Sequence, residues 1–301
     1  MPTPKPQQRV QVVDLASSGW QDYELLDSGS EQKLERFGDR RLVRFEPEAI
    51  WKPALPPGEW NTADARFTLA KGKNQGSWYK QGQPSDEWFI NLPPLTFNLF
   101  LKKSRHIGLF PEQLPNWQWI ERTIRDNGEP ANVLNLFAYT GAATLFAALA
   151  GARVTHVDAV KSSILTAKKN LADSGLADRP VRWIVDDVFK FVQRELRRGN
   201  RYDAIIMDPP KFGRGPGGEV WKFENDIDEL IKNCCSLLSD LPLFFVITAY
   251  NVEIHPIDLG KVLDRQMSFT QGSVQCGHLI QQERSAGRKI SQSIYARWNK
   301  N

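Results

Sequence analysis

The sequence predicts an α/β protein: a mostly parallel sheet flanked by helices, preceded by a small, mainly β N-terminal domain. Two observations carry this. After Phe110, strand-like apolar runs alternate with helix-length stretches, a pattern that implies right-handed crossovers and a sheet covered on both faces. Before it, short strand-like runs are broken repeatedly by turns and prolines.

Residues 1–9, rich in Pro and Gln, are expected to be disordered. Residues 10–105 read as the β-rich unit, with strands at 42–45, 66–69, 77–79 and 87–90 separated by Pro53, Pro56-Pro57 and Pro93-Pro94. Seven of the ten tryptophans lie before residue 120. Exposed Trp can stack on bases, but Trp is mostly buried, so the core of this unit is their expected place. Residues 106–301 carry the alternation. A helix opens near Pro111, with Trp117 and Ile120 on one face, and stops at Asn127-Gly128. Strands follow at 132–138, 153–158, 181–185, 203–207 and 243–249, with helices at 141–151, 160–173, 188–198 and 221–239 between them. Val274 and the run 290–297 mark two further strands.

At 301 residues, 41% hydrophobic and 25% charged, the chain can bury one large core and a smaller one. No apolar run approaches the ~18 residues of a membrane span, and the N-terminal residues lack the apolar core of a signal peptide. A cytoplasmic protein without a membrane partner is the default expectation. Cys234, Cys235 and Cys276 contain no Cys-x-x-Cys and leave an odd thiol, so buried thiols are expected, with no disulfide framework and no metal site. The net charge of +4 permits nucleic-acid contact without demanding it. It is also spread out: residues 1–110 hold 15 Lys+Arg against 13 Asp+Glu, and the rest 24 against 22. The one dense cluster, Arg194, Arg197, Arg198 and Arg201, ends a helix-like stretch, where cations suit the macrodipole; phosphate contact is the alternative.

Between Asn132 and Phe212 four signals occur in order. Val133-Leu-Asn-Leu-Phe-Ala-Tyr-Thr-Gly141 is an apolar run that ends in a single-glycine turn and opens a small-residue helix, so backbone N–H groups can face a ligand. Asp158 follows about 20 residues on, at a strand end from which a carboxylate reaches ribose hydroxyls or, alternatively, caps the next helix. Asp186-Asp187 closes the third strand and Asp208-Pro209-Pro210 the fourth. A dinucleotide's pyrophosphate needs the backbone approach that Gly-x-Gly-x-x-Gly allows, and one glycine in Ala138–Ala143 disfavours it. S-adenosylmethionine (SAM) keeps the ribose and has no phosphates.

These residues resemble the class I SAM-dependent methyltransferases, in particular the ribosomal RNA large-subunit methyltransferase group, which shares an Asp-Pro-Pro-Lys-Phe-type loop. His106-Ile-Gly-Leu-Phe-Pro-Glu-Gln113 is similar to the segment that precedes the fold in that group. The likeness covers roughly residues 100–300. It implies a Rossmann-like, mostly parallel seven-stranded sheet closed by an antiparallel hairpin, SAM as cofactor and ribosomal RNA as partner. It implies that Phe137, Ala138, Tyr139, Thr140 and Gly141 present backbone to the methionine portion, that Asp158 binds the ribose, that Asp187 accepts from the adenine amino group, and that Gln113 reaches the amino-acid end. Asp186 rivals Asp187, and either can cap the helix from Val188; a Gln like Gln113 often completes a helix cap. Asn135 can be a locally bonded polar group and nothing more.

The resemblance makes Asp208, Pro209, Pro210 and Phe212 the reactive loop. In related amino-methyltransferases the acidic or amide side chain and a proline carbonyl accept hydrogens from the target nitrogen, whose lone pair must be localised, while an aromatic residue stacks the base. Here Lys211 stands at the aromatic position and Phe212 one later, so Phe212 is the stacking candidate and Lys211 and Arg214 are candidates for a substrate phosphate. Cytosine carbon-5 enzymes of the group use a cysteine after the fifth strand, where this chain has Thr248-Ala249-Tyr250-Asn251. Transfer to nitrogen or oxygen of an RNA base is therefore expected. A small-molecule or protein acceptor is the alternative, as is a non-catalytic SAM- or nucleotide-binding module, against which the Asp-Pro-Pro loop speaks.

Overall fold

The structure, a computed structural model, describes residues 10–69, 76–214 and 220–300. The expected tail at 1–9 lies outside them. The chain opens with β1 (Val10–Val12) and β2 (Leu15–Ala16). A five-stranded sheet follows, made of β3 (Tyr23–Gly29), β4 (Gln32–Phe37), β5 (Arg40–Phe45) and, after the single turn α1 (Pro57–Trp60), β6 (Ala65–Leu69) and β7 (Gly76–Lys80). β8 (Glu87–Leu92) and β9 (Leu95–Phe100) form a separate hairpin with period-two burial: Trp88, Ile90, Leu95, Phe97 and Leu99 face in. Strands β3 and β4 were not anticipated because their inward positions include polar groups. Asp27, Ser28, Lys33 and Glu35 are all buried there, which erases the hydrophobic alternation that marks a strand.

A 3₁₀ turn (Pro111–Gln113) leads into α2 (Leu114–Asp126), β10 (Asn132–Leu136), α3 (Ala142–Leu149), β11 (Arg153–Asp158), α4 (Lys161–Asp173), β12 (Val181–Val185), α5 (Val188–Arg198) and β13 (Ala204–Met207). The chain continues through the two-stranded ribbon of β14 (Phe212–Arg214) and β15 (Val220–Lys222), then α6 (Phe223–Cys235), β16 (Phe244–Ala249), α7 (Pro256–Gln266) and the antiparallel pair β17 (Ser273–Gln282) and β18 (Lys289–Asn299). The helix expected from 221 starts later because Val220–Lys222 pairs with β14.

The large sheet has the order β1-β17-β18-β16-β13-β10-β11-β12, with β2 also on β17. It is nine-stranded, two more than expected, because β1 and β2 add in parallel to β17. β10 pairs in parallel with both β11 and β13, so the chain leaves β10 to one side and later returns on the other. The crevice between the carboxyl ends of β10 and β13 is the switch point at which such sheets bind ligands.

The parallel strands are apolar on both faces, and each face has its own core. Leu134, Leu136, Ile205, Met207, Phe245 and Ile247 pack on the α5, α6 and α7 side, while Val133, Ala204, Ile206, Phe244 and Val246 face α2 and α3. A third core joins the N-terminal strands to the sheet's helices. In it Trp117 is stacked between Phe97 (centroids 6.2 Å apart) and Phe146 (5.6 Å), with Trp20 at its edge. No tryptophan before residue 120 is exposed.

Candidate active site

After β10 the chain turns through Phe137 (φ +54°), Tyr139 (φ +48°) and Gly141 (φ +85°). Left-handed backbone at two aromatic residues costs about 1 kcal/mol each, so the surroundings must hold it. Ala138 N donates to Val157 O at 3.1 Å, Tyr139 N to Asp158 Oδ2 at 2.8 Å, and Thr140 Oγ1 to Gly108 O at 2.5 Å. A Cβ at Gly141 would lie 2.8 Å from the Cβ of Ala167, so only glycine lets this turn close against α4. The turn lifts Phe137 and Tyr139 into the wall of a cavity of about 1290 Å³, while Ala138, Thr140 and Gly141 stay out of that wall.

Asp158, Asp187 and Asp208, from the ends of β11, β12 and β13, line the same cavity. Asp158 holds the first turn: besides Tyr139 N it accepts from Val160 N at 2.8 Å, leaving each oxygen a second lone pair. Burial raises its pKa. Asp187 caps α5 by accepting from Lys190 N at 3.0 Å and still faces the cavity. Asp186 is turned to Arg194 and to Asp187 N, away from the wall. Asn135 donates to Thr144 Oγ1 at 2.9 Å, a local bond in the core.

The half-buried carboxyl of Asp208 is pushed up to about 7 by burial and by the nearby charge of Glu112, against a hydrogen bond from Thr248. Gln113 lies behind this wall. Its amide donates to Thr248 Oγ1 at 2.9 Å and Tyr250 Oη at 3.1 Å, which orients the Thr248 hydroxyl toward Asp208. Pro209 and Pro210 line the cavity, and the Pro210 carbonyl accepts from Trp221 Nε1 at 2.6 Å. Lys211, just before β14, and Gly213 within it face the cavity but Phe212, between them, is exposed and stays out of that wall, as strand alternation requires. Lys211 pairs with Glu253 at 2.9 Å at the rim. The side chain of Arg214, like residues 215–219, lies outside the described part.

The aromatic wall comes from elsewhere. Phe110 lies 5.8 Å from Tyr139 and 5.2 Å from Tyr250, ring to ring, beside Asp208. A further part of the wall is N-terminal: Lys33, Arg44, Glu46 and Arg105 reach the cavity together with Gln292 of β18. No single-residue motif marks them. Their only signal is charge at inward strand positions, as with Arg44, which grips Glu35 at 2.6 and 2.7 Å. None of the three cysteines lines the cavity; all are buried, and burial pushes the Cys235 thiol up to about 12. Among the described residues there is no cluster of His, Cys, Asp and Glu suited to a metal, and no helix is long and apolar enough to cross a membrane.

This geometry agrees with comparison to known proteins. Residues 58–241 match the family model described as S-adenosylmethionine-dependent methyltransferase. The chain belongs to this methyltransferase family. Its cofactor is accordingly SAM. The methyltransferase superposes on the crystal structure of a SAM-dependent methyltransferase from Agrobacterium tumefaciens with a TM-score of 0.92, at 39% identity, over 99% of this chain and 98% of the other. It is 28% identical over 190 residues to ribosomal RNA large subunit methyltransferase I of Shewanella denitrificans, covering 63% of this chain and 45% of the relative. It is 32% identical over 181 residues to ribosomal RNA large subunit methyltransferase K of Neisseria meningitidis, covering 58% and 49%. The matched region thus spans about half the length of these curated relatives.

Proposed function

We propose that this methyltransferase transfers the methyl of SAM to a nitrogen or oxygen of a ribosomal RNA base, without a cysteine nucleophile. One observation carries the reading: the carboxyl of Asp208, its pKa raised by burial, faces a cavity whose wall holds no thiol among the described residues. SAM, when bound, supplies an electrophilic methyl on its sulfonium. The chain's part is to place the nucleoside, with Asp158 toward the ribose and Asp187 toward the adenine, while Phe137 and Tyr139 border the methionine end. Asp208 accepts the hydrogen of the target atom and so localises the lone pair that attacks. With the Pro210 carbonyl taken by Trp221, Pro209 is the carbonyl assigned as second acceptor. Phe110 and Tyr250 take the place of Phe212 as the aromatic surface for the base. The curated relatives support ribosomal RNA as the acceptor.

The test is incubation with methyl-labelled SAM and RNA from cells lacking this protein, followed by nucleoside analysis. Label in a base methylated at nitrogen or oxygen is expected. Label in 5-methylcytosine refutes the chemistry, and label only in protein or small-molecule fractions refutes the acceptor.

A further inference from the structure

We propose that Arg105, assisted by Lys102, binds a backbone phosphate of the acceptor strand at the N-terminal wall of the cavity. The proposal rests on the RNA reading above and adds to it the place where the strand is held. Arg105 is half-buried and lines the cavity, yet among the described residues its side chain makes one hydrogen bond, a long one from Nη1 to Phe45 O at 3.4 Å. Among the described residues no carboxylate lies within ion-pair distance of Arg105 or Lys102, whereas the neighbouring cations are committed: Arg44 to Glu35, and Lys33 to Glu46 at 3.3 Å. Glu46 and Glu112 act on the Arg105 charge only from beyond ion-pair distance, so its donor fork is left for something not in the chain, and a phosphate matches that fork.

The local field agrees. The His106 side chain, next in sequence, is held down to about 4, first by desolvation and then by the positive charges of Arg105, Arg44 and Lys33. Lys102, over the ring of Phe100 at 4.1 Å, lies exposed at the same wall. The arrangement is also continuous with the reaction centre: His106 lies 5.2 Å from Phe110, and Phe110 lies 5.2 Å from Tyr250, beside Asp208. A nucleotide with its base on Phe110 and Tyr250 and its phosphate on Arg105 spans this wall.

The experiment uses the full chain saturated with S-adenosylhomocysteine and a labelled single-stranded oligoribonucleotide, with binding followed by anisotropy across a salt series. Arg105→Ala should weaken binding about tenfold and reduce the slope of log affinity against log salt by about 0.7, the value for one lost phosphate contact on a single strand. Arg105→Lys should restore most of the slope, and Lys102→Ala should give a smaller loss. Affinity for SAM, by calorimetry, should stay within about twofold in each variant. Unchanged affinity and slope in Arg105→Ala overturn the proposal, as does a wild type that binds no oligonucleotide. A loss that appears in SAM affinity instead overturns it by assigning Arg105 to the cofactor's carboxylate. If binding depends on Arg105 as described but no RNA is methylated, the phosphate site stands and the proposed reaction falls.

Discussion

Replacing Asp208 by Asn separates its two roles, because the amide keeps the size and the Thr248 contact but cannot carry charge. In the folded protein this carboxyl titrates near 7 against an ordinary value of 3.8, a rise of roughly three units. At about 1.4 kcal/mol per unit the rise amounts to at most roughly 4 kcal/mol of instability in the ionised form; water in the open cavity relaxes part of it, leaving about 2 kcal/mol. The sign follows from the protons bound. Between about pH 4 and pH 7 the unfolded chain has released this proton and the native chain has not, so wild-type stability falls as pH rises through that window. The Asn variant escapes this fall. Urea unfolding at about pH 4 and about pH 8.5 should therefore show the variant gaining about 2 kcal/mol on wild type between the two conditions. Turnover should move the opposite way. Wild-type activity should rise with pH through an inflection near 7, as the acceptor carboxylate forms, to a plateau about one unit higher, whereas the variant should be slower by roughly a hundredfold and lack that inflection. An equal stability difference at both pH values, or wild-type activity without an inflection in this range, refutes the argument.

Three further outcomes are expected. Asp158→Ala should weaken SAM binding at least about tenfold, a loss of about 1.4 kcal/mol by calorimetry, and should loosen the turn whose Tyr139 and Val160 N–H groups it satisfies; unchanged affinity removes it from the site. Cys234→Ser, Cys235→Ser and Cys276→Ser combined should lower the melting temperature, because each hydroxyl replaces a buried thiol, yet keep methyl transfer per folded molecule; a folded but inactive triple variant refutes the non-covalent route. A fragment beginning near Lys102 should fail to fold cooperatively, since it exposes Trp117, Leu145, Phe146 and Leu171 of the shared core. A fragment with a single sharp thermal transition would show that core to be dispensable.

The β/α order from residue 132 onward, the strand-end aspartates and the Asp-Pro-Pro loop were legible in the sequence because each is a local signal. Strands β11 and β12 and helix α5 run over the residues expected of them, since an apolar run, a cap and a glycine stop lie within a few residues of one another. The other half of the site was decided by partners distant in the chain. Gln113, expected at the cofactor, instead serves Thr248 and Tyr250, and Lys33 is held by Gln281 and Gln292. Inward-facing polar residues of this kind read locally as surface. Only the docking of the N-terminal strands on α2, α3 and α4, through Trp117 and its stacked neighbours, buries them and turns them into a cavity wall. Phe212 shows the same limit at shorter range: its type suits stacking, but the pairing of β14 with β15 sets its face, and that face is not the cavity's.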